Sequence, residues 1–152
     1  ASTGKRSSSQ TVAGLIGPSA GDRLSNVLRA VFEGVVCAHR FDLETALLNG
    51  AGSASPSRVM LAGGVSRSDV WAQMFADGLQ RPVGVANGSE FGAKAAAMCG
   101  AVAVGAKVDL TEAIDSMVTI DRRFVPDPER GKVLDVAYDR FVRLKEALAM
   151  AF

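Results

Sequence analysis

From Asp22 to about Asn49, apolar residues return every three or four positions: Leu24, Val27, Leu28, Val31, Phe32, Val35 and Val36. That spacing predicts one stripe on a long helix. Pro18 and Ser19 mark its start, with Asp22 three residues after the serine as a weak capping box. His39 continues the stripe and is expected to be a partly buried imidazole satisfied by a neighbour. Gly50 to Ser57 is rich in turn residues and predicts a loop. Then the period changes. Val59, Met60, Leu61 and Ala62 form a short, wholly apolar run, the pattern of a central strand covered on both faces. Gly63 and Gly64 end it. Ser66 and Asp69 have capping-box spacing, with Ser66 as N-cap and Asp69 at the third helical position. The helix that follows, beginning near Ser68, carries Val70, Trp71, Met74 and Phe75 on one side and stops at Arg81-Pro82.

Val83 to Ala86 reads as a second short strand, and Asn87-Gly88 as a turn. Ser89 and Glu90 open a helix running to Gly105 whose body is unusually rich in alanine and glycine, so it can lie close against another element. Thr111 to Met117 predicts a short helix, and Val118 to Val125 either a strand or an extended link. Asp127-Pro128 is an N-cap followed by proline at the first helical position. The last helix runs from about Glu129 to Ala149, with Val133, Ala137, Phe141, Leu144 and Leu148 expected inward. Strands alternating with helices make the class α/β, with short central strands flanked by long helices. Two or three strands are too few to cover three long helices, which points to part of a larger domain. Residues 1–13, with Ser7, Ser8 and Ser9, read as a loop or disordered end, and 14–152 as the folded part without a repeat or linker.

The 152 residues are 48% hydrophobic and 22% charged, which excludes a disordered chain. Lysine plus arginine number 17 against 16 acidic residues, so no global field draws the chain to nucleic acid or to an anionic membrane. No apolar run approaches the roughly 18 residues that cross a bilayer. Ala1 to Gln10 has no apolar stretch and is not a signal peptide, so a cytoplasmic location is expected. Cys37 and Cys99 lie in apolar contexts without metal-ligand spacing and read as buried free thiols. With His39 as the single histidine, a catalytic triad or a histidine zinc site has little to build on.

Residues 58–83 carry the chemistry: a strand, a Gly-Gly turn and a capped helix. Glycines after a buried strand let a ligand approach the backbone, because no Cβ stands in the way. The helix start offers free N–H groups and a positive dipole end, which suit phosphate or the polar edge of a nucleotide. The same pattern also serves tight packing alone, and both readings stand at this level. A Walker P-loop is excluded because G-x-x-x-x-G-K-[ST] is absent, and a dinucleotide fingerprint because Gly78 follows too late.

The segment LAGG, VSRS, DVWAQMFADGLQ, RPV resembles the adenosine-binding motif of the FGGY carbohydrate kinases, members of the actin, Hsp70 and hexokinase superfamily. Three further landmarks follow the family order: RAVFEG at 29–34, EFGAKAAA at 90–97, and the P-D-P segment with its terminal amphipathic helix from Phe124 to Leu148. The resemblance implies the carboxy-terminal part of an actin-like (ribonuclease H-like) ATPase domain. It also implies ATP-dependent phosphorylation of a small sugar or polyol, a ketopentose such as xylulose first among them. ATP and Mg2+ would be the cofactors, and the remainder of the same kinase the partner; a homo-oligomer is left open. Carried over residue by residue, Gly63 and Gly64 would run along the adenosine and α-phosphate, Val65 would face the adenine, and Ser68 would stand near the purine edge. For Ser68 the alternative is a helix first-turn residue without a ligand. Glu33, Asp69, Asp77 and Glu90 read as caps or solvated faces, so no catalytic residue and no metal ligand is assigned. The family's catalytic aspartate and phosphate hairpins lie before this region, and the isolated chain is expected to be inactive.

Three departures stand out. Gly14 to Asn26 is longer than the family spacing, Lys94 replaces a usual leucine, and Ala95 a usual glycine. Lys94 is expected to reach solvent rather than a phosphate. The competing readings are a non-catalytic actin-like binding or interaction module and an ATPase of the superfamily that is not a sugar kinase.

Overall fold

A computed structural model describes residues 17–49, 59–88 and 90–151. The loops read at 1–13 and 50–57, and Ser89 at the start of a helix, lie outside the described residues. Helix α1 spans Leu24–Leu48, strand β1 Val59–Leu61, helix α2 Asp69–Leu79 and strand β2 Val83–Ala86. Helix α3 (Phe91–Ala103), helix α4 (Leu110–Met117), strand β3 (Ile120–Phe124) and helix α5 (Pro128–Ala151) complete the order. The sheet order is β1-β2-β3. β1 and β2 are parallel, joined across α2, and β3 runs antiparallel to β2, settling the open choice at 118–125 as a strand. The chain is α/β, as its alternating pattern predicts.

Burial corrects the expected core. β2 is the covered strand, with Val83 and Val85 each 1% exposed, whereas Met60 of β1 is 41% exposed. Among the described residues β1 pairs on one side only, and a wholly apolar run cannot by itself tell an edge strand from a central one. The α1 stripe also divides. Val36 and Cys37 are buried, and Val36 joins the core of Phe75, Ala76, Leu79 and Val83. Leu24, Leu28, Val31 and Phe32 are exposed. The reason is length: at ~1.5 Å per residue α1 is ~37 Å long and α2 ~16 Å, so α2 covers less than half of it. His39 is exposed, its ring 5.4 Å from that of Phe75.

On α5 the inward face is one position away from the predicted one. Gly131, Leu134 and Tyr138 are buried, Ala137 and Phe141 half-buried, and Val133, Leu144 and Leu148 exposed. A Cβ on Gly131 would lie 3.5 Å from the Asp77 carbonyl, so this face meets α2 closely. Asp77 is itself 2% exposed rather than solvated. Its Oδ1 accepts from Gln73 Nε2 at 2.7 Å and from the Asp127 amide at 2.8 Å, fixing the entry to α5. Asp127 Oδ1 in turn accepts from the amides of Glu129 and Arg130, as the Asp-Pro signal predicts. α3 packs on α4, each burying one residue, Met98 and Ala113. Its small-sided faces are otherwise open, and Cys99 is exposed, not buried as its apolar context suggests. No helix among the described residues is long and apolar enough to cross a membrane.

One polar cluster locks α1 to α5. Arg40 Nε donates to Glu44 Oε1 at 2.8 Å, and its Nη1 to Asp135 Oδ1 at 2.6 Å and to the Gly78 carbonyl at 3.2 Å. Its guanidinium lies 4.2 Å from the Tyr138 ring centre, and Tyr138 Oη donates to Glu44 Oε2 at 2.6 Å. Burial pushes the Glu44 carboxyl up, but the hydrogen bonds and charge of Arg40 and the Tyr138 hydroxyl outweigh it and hold it below 4.5. Burial, then the Glu44 hydrogen bond, push the Tyr138 phenol up to about 12. A depressed carboxylate contributes stability above its unfolded pKa and loses it as pH falls through the folded one. A raised phenol contributes below 10 and loses its share as pH rises towards about 12. Thermal melts should therefore form a plateau bounded on both sides, and Tyr138→Phe should lower it and flatten its alkaline edge. An unchanged profile in that variant would show the hydroxyl to be energetically idle.

Candidate functional site

β1 runs into Gly63, whose φ of 79° and ψ of −153° suit glycine and strain any other residue. This turn lets four residues, Gly64–Arg67, form a 3-10 turn before α2 begins. Ser66 is consequently not the helix cap. It is 6% exposed, and its Oγ donates to the Gly63 carbonyl at 2.7 Å. Ser68 has the extended backbone of a cap and accepts from the Trp71 amide at 3.3 Å, which makes Asp69 the first helical residue rather than the third. Both serines are competent by type; the positive φ at Gly63 decides between them.

Gly63, Gly64 and Ser68 are exposed at the end of β1. Among the described residues, chain neighbours aside, a Cβ on either glycine would meet nothing within 4 Å. Val65 is half-buried and packs against the core cluster, so only part of its side chain remains at the surface. The loop lies at the carboxyl end of the parallel β1–β2 pair, where open α/β sheets place their ligands. The first turn of α2 adds N–H groups and the positive end of its dipole. A groove of about 620 Å³ between α1, α2, β3 and α5 includes Asp69, Gln73 and Val133 but none of the four loop residues. It is lined in part by helix faces left uncovered.

Arg122, which the pattern does not single out, and Lys94, which it marks only as a departure from the family, hold this end of the sheet. Arg122 of β3, opposite Val85, donates through Nη2 to the Ser66 carbonyl at 2.5 Å and pairs through Nη1 with the Asp69 carboxylate. Lys94 of α3 is half-buried, and its Nζ donates in an exposed position to the Asn87 carbonyl and to Asn87 Oδ1, both at 2.9 Å, clamping the turn after β2. Arg122 bears no local signal. Arg122 sits beside an equally charged Arg123, and only the register of β3 separates them. Among the described residues no group of three histidine, cysteine, aspartate or glutamate side chains is gathered.

Comparison with known proteins agrees with the motif order. The chain is 30% identical over 125 residues to a gluconokinase of Bacillus licheniformis, covering 81% of this chain and 23% of that protein. It is 32% identical over 142 residues to an erythritol kinase of Brucella abortus, covering 91% and 26%. The crystal structure of a xylulose kinase from Rhodospirillum rubrum matches with a TM-score of 0.69 and 30% identity, over 88% of this chain and 26% of that one. The chain thus spans about a quarter of the length of the relatives it matches. The model of the FGGY carbohydrate kinase C-terminal domain matches residues 5–104, and with the strand, glycine turn and capped helix in place, the chain belongs to the FGGY family of carbohydrate kinases.

Proposed function

We propose that this chain supplies the adenosine-binding part of an ATP-dependent kinase that phosphorylates an alcohol group of a small sugar or polyol. The observation that carries the reading is the open turn Gly63–Gly64 between β1 and a capped α2, where, chain neighbours aside, no atom of the described residues lies within 4 Å of either missing Cβ. Gly63 and Gly64 then follow the adenosine and α-phosphate, the exposed part of Val65 borders the adenine, and Ser68 stands at the purine edge while capping α2. In-line phosphoryl transfer also needs a base for the hydroxyl, a phosphate cradle and Mg2+. These are assigned to the rest of the kinase, which also covers the exposed stripe of α1 and the open faces of α3. Residues 14–152 act as one part of the family's carboxy-terminal domain in a cytoplasmic enzyme.

The names of the relatives define the panel to test: xylulose first, then gluconate and erythritol, with ribulose and glycerol beside them. A coupled assay of the whole kinase that carries this chain should show ATP-dependent turnover with at least one of them, and the isolated chain none. Turnover by the isolated chain would overturn the division of roles. Failure of the folded whole protein with every member would favour a non-catalytic binding module.

A further inference from the structure

We propose that Arg122 is a positioning residue for the nucleotide loop: its guanidinium sets the shape of Gly63–Ser68 and so governs ATP affinity without touching the sugar. This rests on the nucleotide reading of that loop. The turn has few internal restraints. Gly63 and Gly64 lack a Cβ, and among the described residues, chain neighbours aside, nothing lies within 4 Å of where one would stand, so no described side chain packs there. What holds them is a chain of hydrogen bonds. The Ser66 amide and Oγ both donate to the Gly63 carbonyl, at 3.2 and 2.7 Å. The Ser66 carbonyl is held in turn by Arg122 Nη2 at 2.5 Å, and the same guanidinium grips Asp69, the first residue of α2.

Arg122 therefore joins the exit of the 3-10 turn and the start of α2 to β3, which is itself hydrogen-bonded to the buried β2. The planar fork suits two acceptors at once, whereas a lysine ammonium is a point charge on a flexible stem. The two contacts differ in weight. Asp69 is 68% exposed, so its ion pair is screened and modest. The bond to the Ser66 carbonyl is part-buried and acts on backbone, so it transmits the position of β3 to the loop. Arg123, the next residue, is exposed and serves as a matched charge control.

The test uses the whole kinase carrying this chain, with Arg122→Leu, Arg122→Lys, Asp69→Asn and Arg123→Leu, each checked for a cooperative melt. Arg122→Leu should raise KM for ATP about five- to twentyfold while KM for the sugar stays within about twofold, the split expected when only nucleotide binding is disturbed. Arg122→Lys should recover part of the loss, Asp69→Asn should cost about two- to threefold, and Arg123→Leu should change neither constant. If Arg122→Leu does not fold, the lysine and asparagine variants carry the same comparison. Equal rises in both KM values, or no rise in a folded Arg122 variant, overturns the role. Gly64→Val in the same kinase separates the two levels. If it raises KM for ATP while the Arg122 variants do not, the inference about Arg122 fails and the site stands; if it too is silent, the nucleotide reading fails.

Discussion

Replacing Gly64 by valine in the whole kinase is expected to raise KM for ATP about tenfold or more, with KM for the sugar within about twofold, since each tenfold corresponds to ~1.4 kcal/mol of binding. The substitution is informative because the fold should tolerate it. Among the described residues, chain neighbours aside, a Cβ there meets nothing within 4 Å, and Gly64 is not among the glycines with positive φ. Its cost to stability should stay within ~1 kcal/mol, so the melting temperature should move by only a few degrees. The new side chain occupies the space through which a ligand would approach the backbone, and the loss appears in nucleotide binding. Gly63 would give a less clean answer, because its φ of 79° would add backbone strain to any steric effect. Equal changes in both KM values, or none, would remove Gly64 from the nucleotide site.

Gly78→Ala should have the opposite profile, a loss of about 2 kcal/mol of stability through overpacking. Gly78 sits where α2 crosses α1 and α5. A Cβ on it would lie 2.4 Å from Val36 Cγ1 and 3.6 Å from Leu134 Cδ1. Val36 is 1% exposed, and a helical valine has one strongly preferred χ1, so it cannot swing aside cheaply. Helix propensity alone would favour alanine by ~1 kcal/mol, but a contact this short forces the helices apart and outweighs it. Denaturant melts of the whole kinase should show the loss. Val36→Ala in the Gly78→Ala background should restore part of it, with a coupling of ~1–2 kcal/mol, as expected for residues in direct contact. A neutral or stabilising Gly78→Ala would mean that α1 and α2 separate at little cost.

How far local pattern reaches is visible at particular residues. Asp127-Pro128 starts α5 because the cap and the proline act within one turn, so the structure agrees with the sequence there. The Ser19–Asp22 box also forms, with the Ser19 amide and Oγ on Asp22 Oδ2, but it closes a turn ahead of α1 rather than the helix itself. Two candidate caps precede α2, and the choice of Ser68 over Ser66 depends on a backbone angle at Gly63 that no residue type after it reveals. Along α5, apolar residues occupy both the stripe through Val133 and the one through Leu134. Periodicity cannot rank them, and the close approach of Gly131 to Asp77 does.

By itself the sequence determined the order and type of the elements apart from the 3-10 turn at Gly64–Arg67 and the strand at 120–124, together with the strand–glycine–helix motif and, through four landmarks in order, the kinase family. All of these arise from interactions within a few residues of one another, where spacing and side-chain type carry the physics. Tertiary structure alone decided that Arg122 reaches Ser66 and Asp69, that Lys94 clamps Asn87, that Asp77 is buried and that Cys99 is not. Arg122 meets its partners across more than fifty residues of sequence, and local periodicity contains no term for such a distance. Burial is likewise a property of what lies opposite a surface, which for the exposed half of α1 is not found among the described residues.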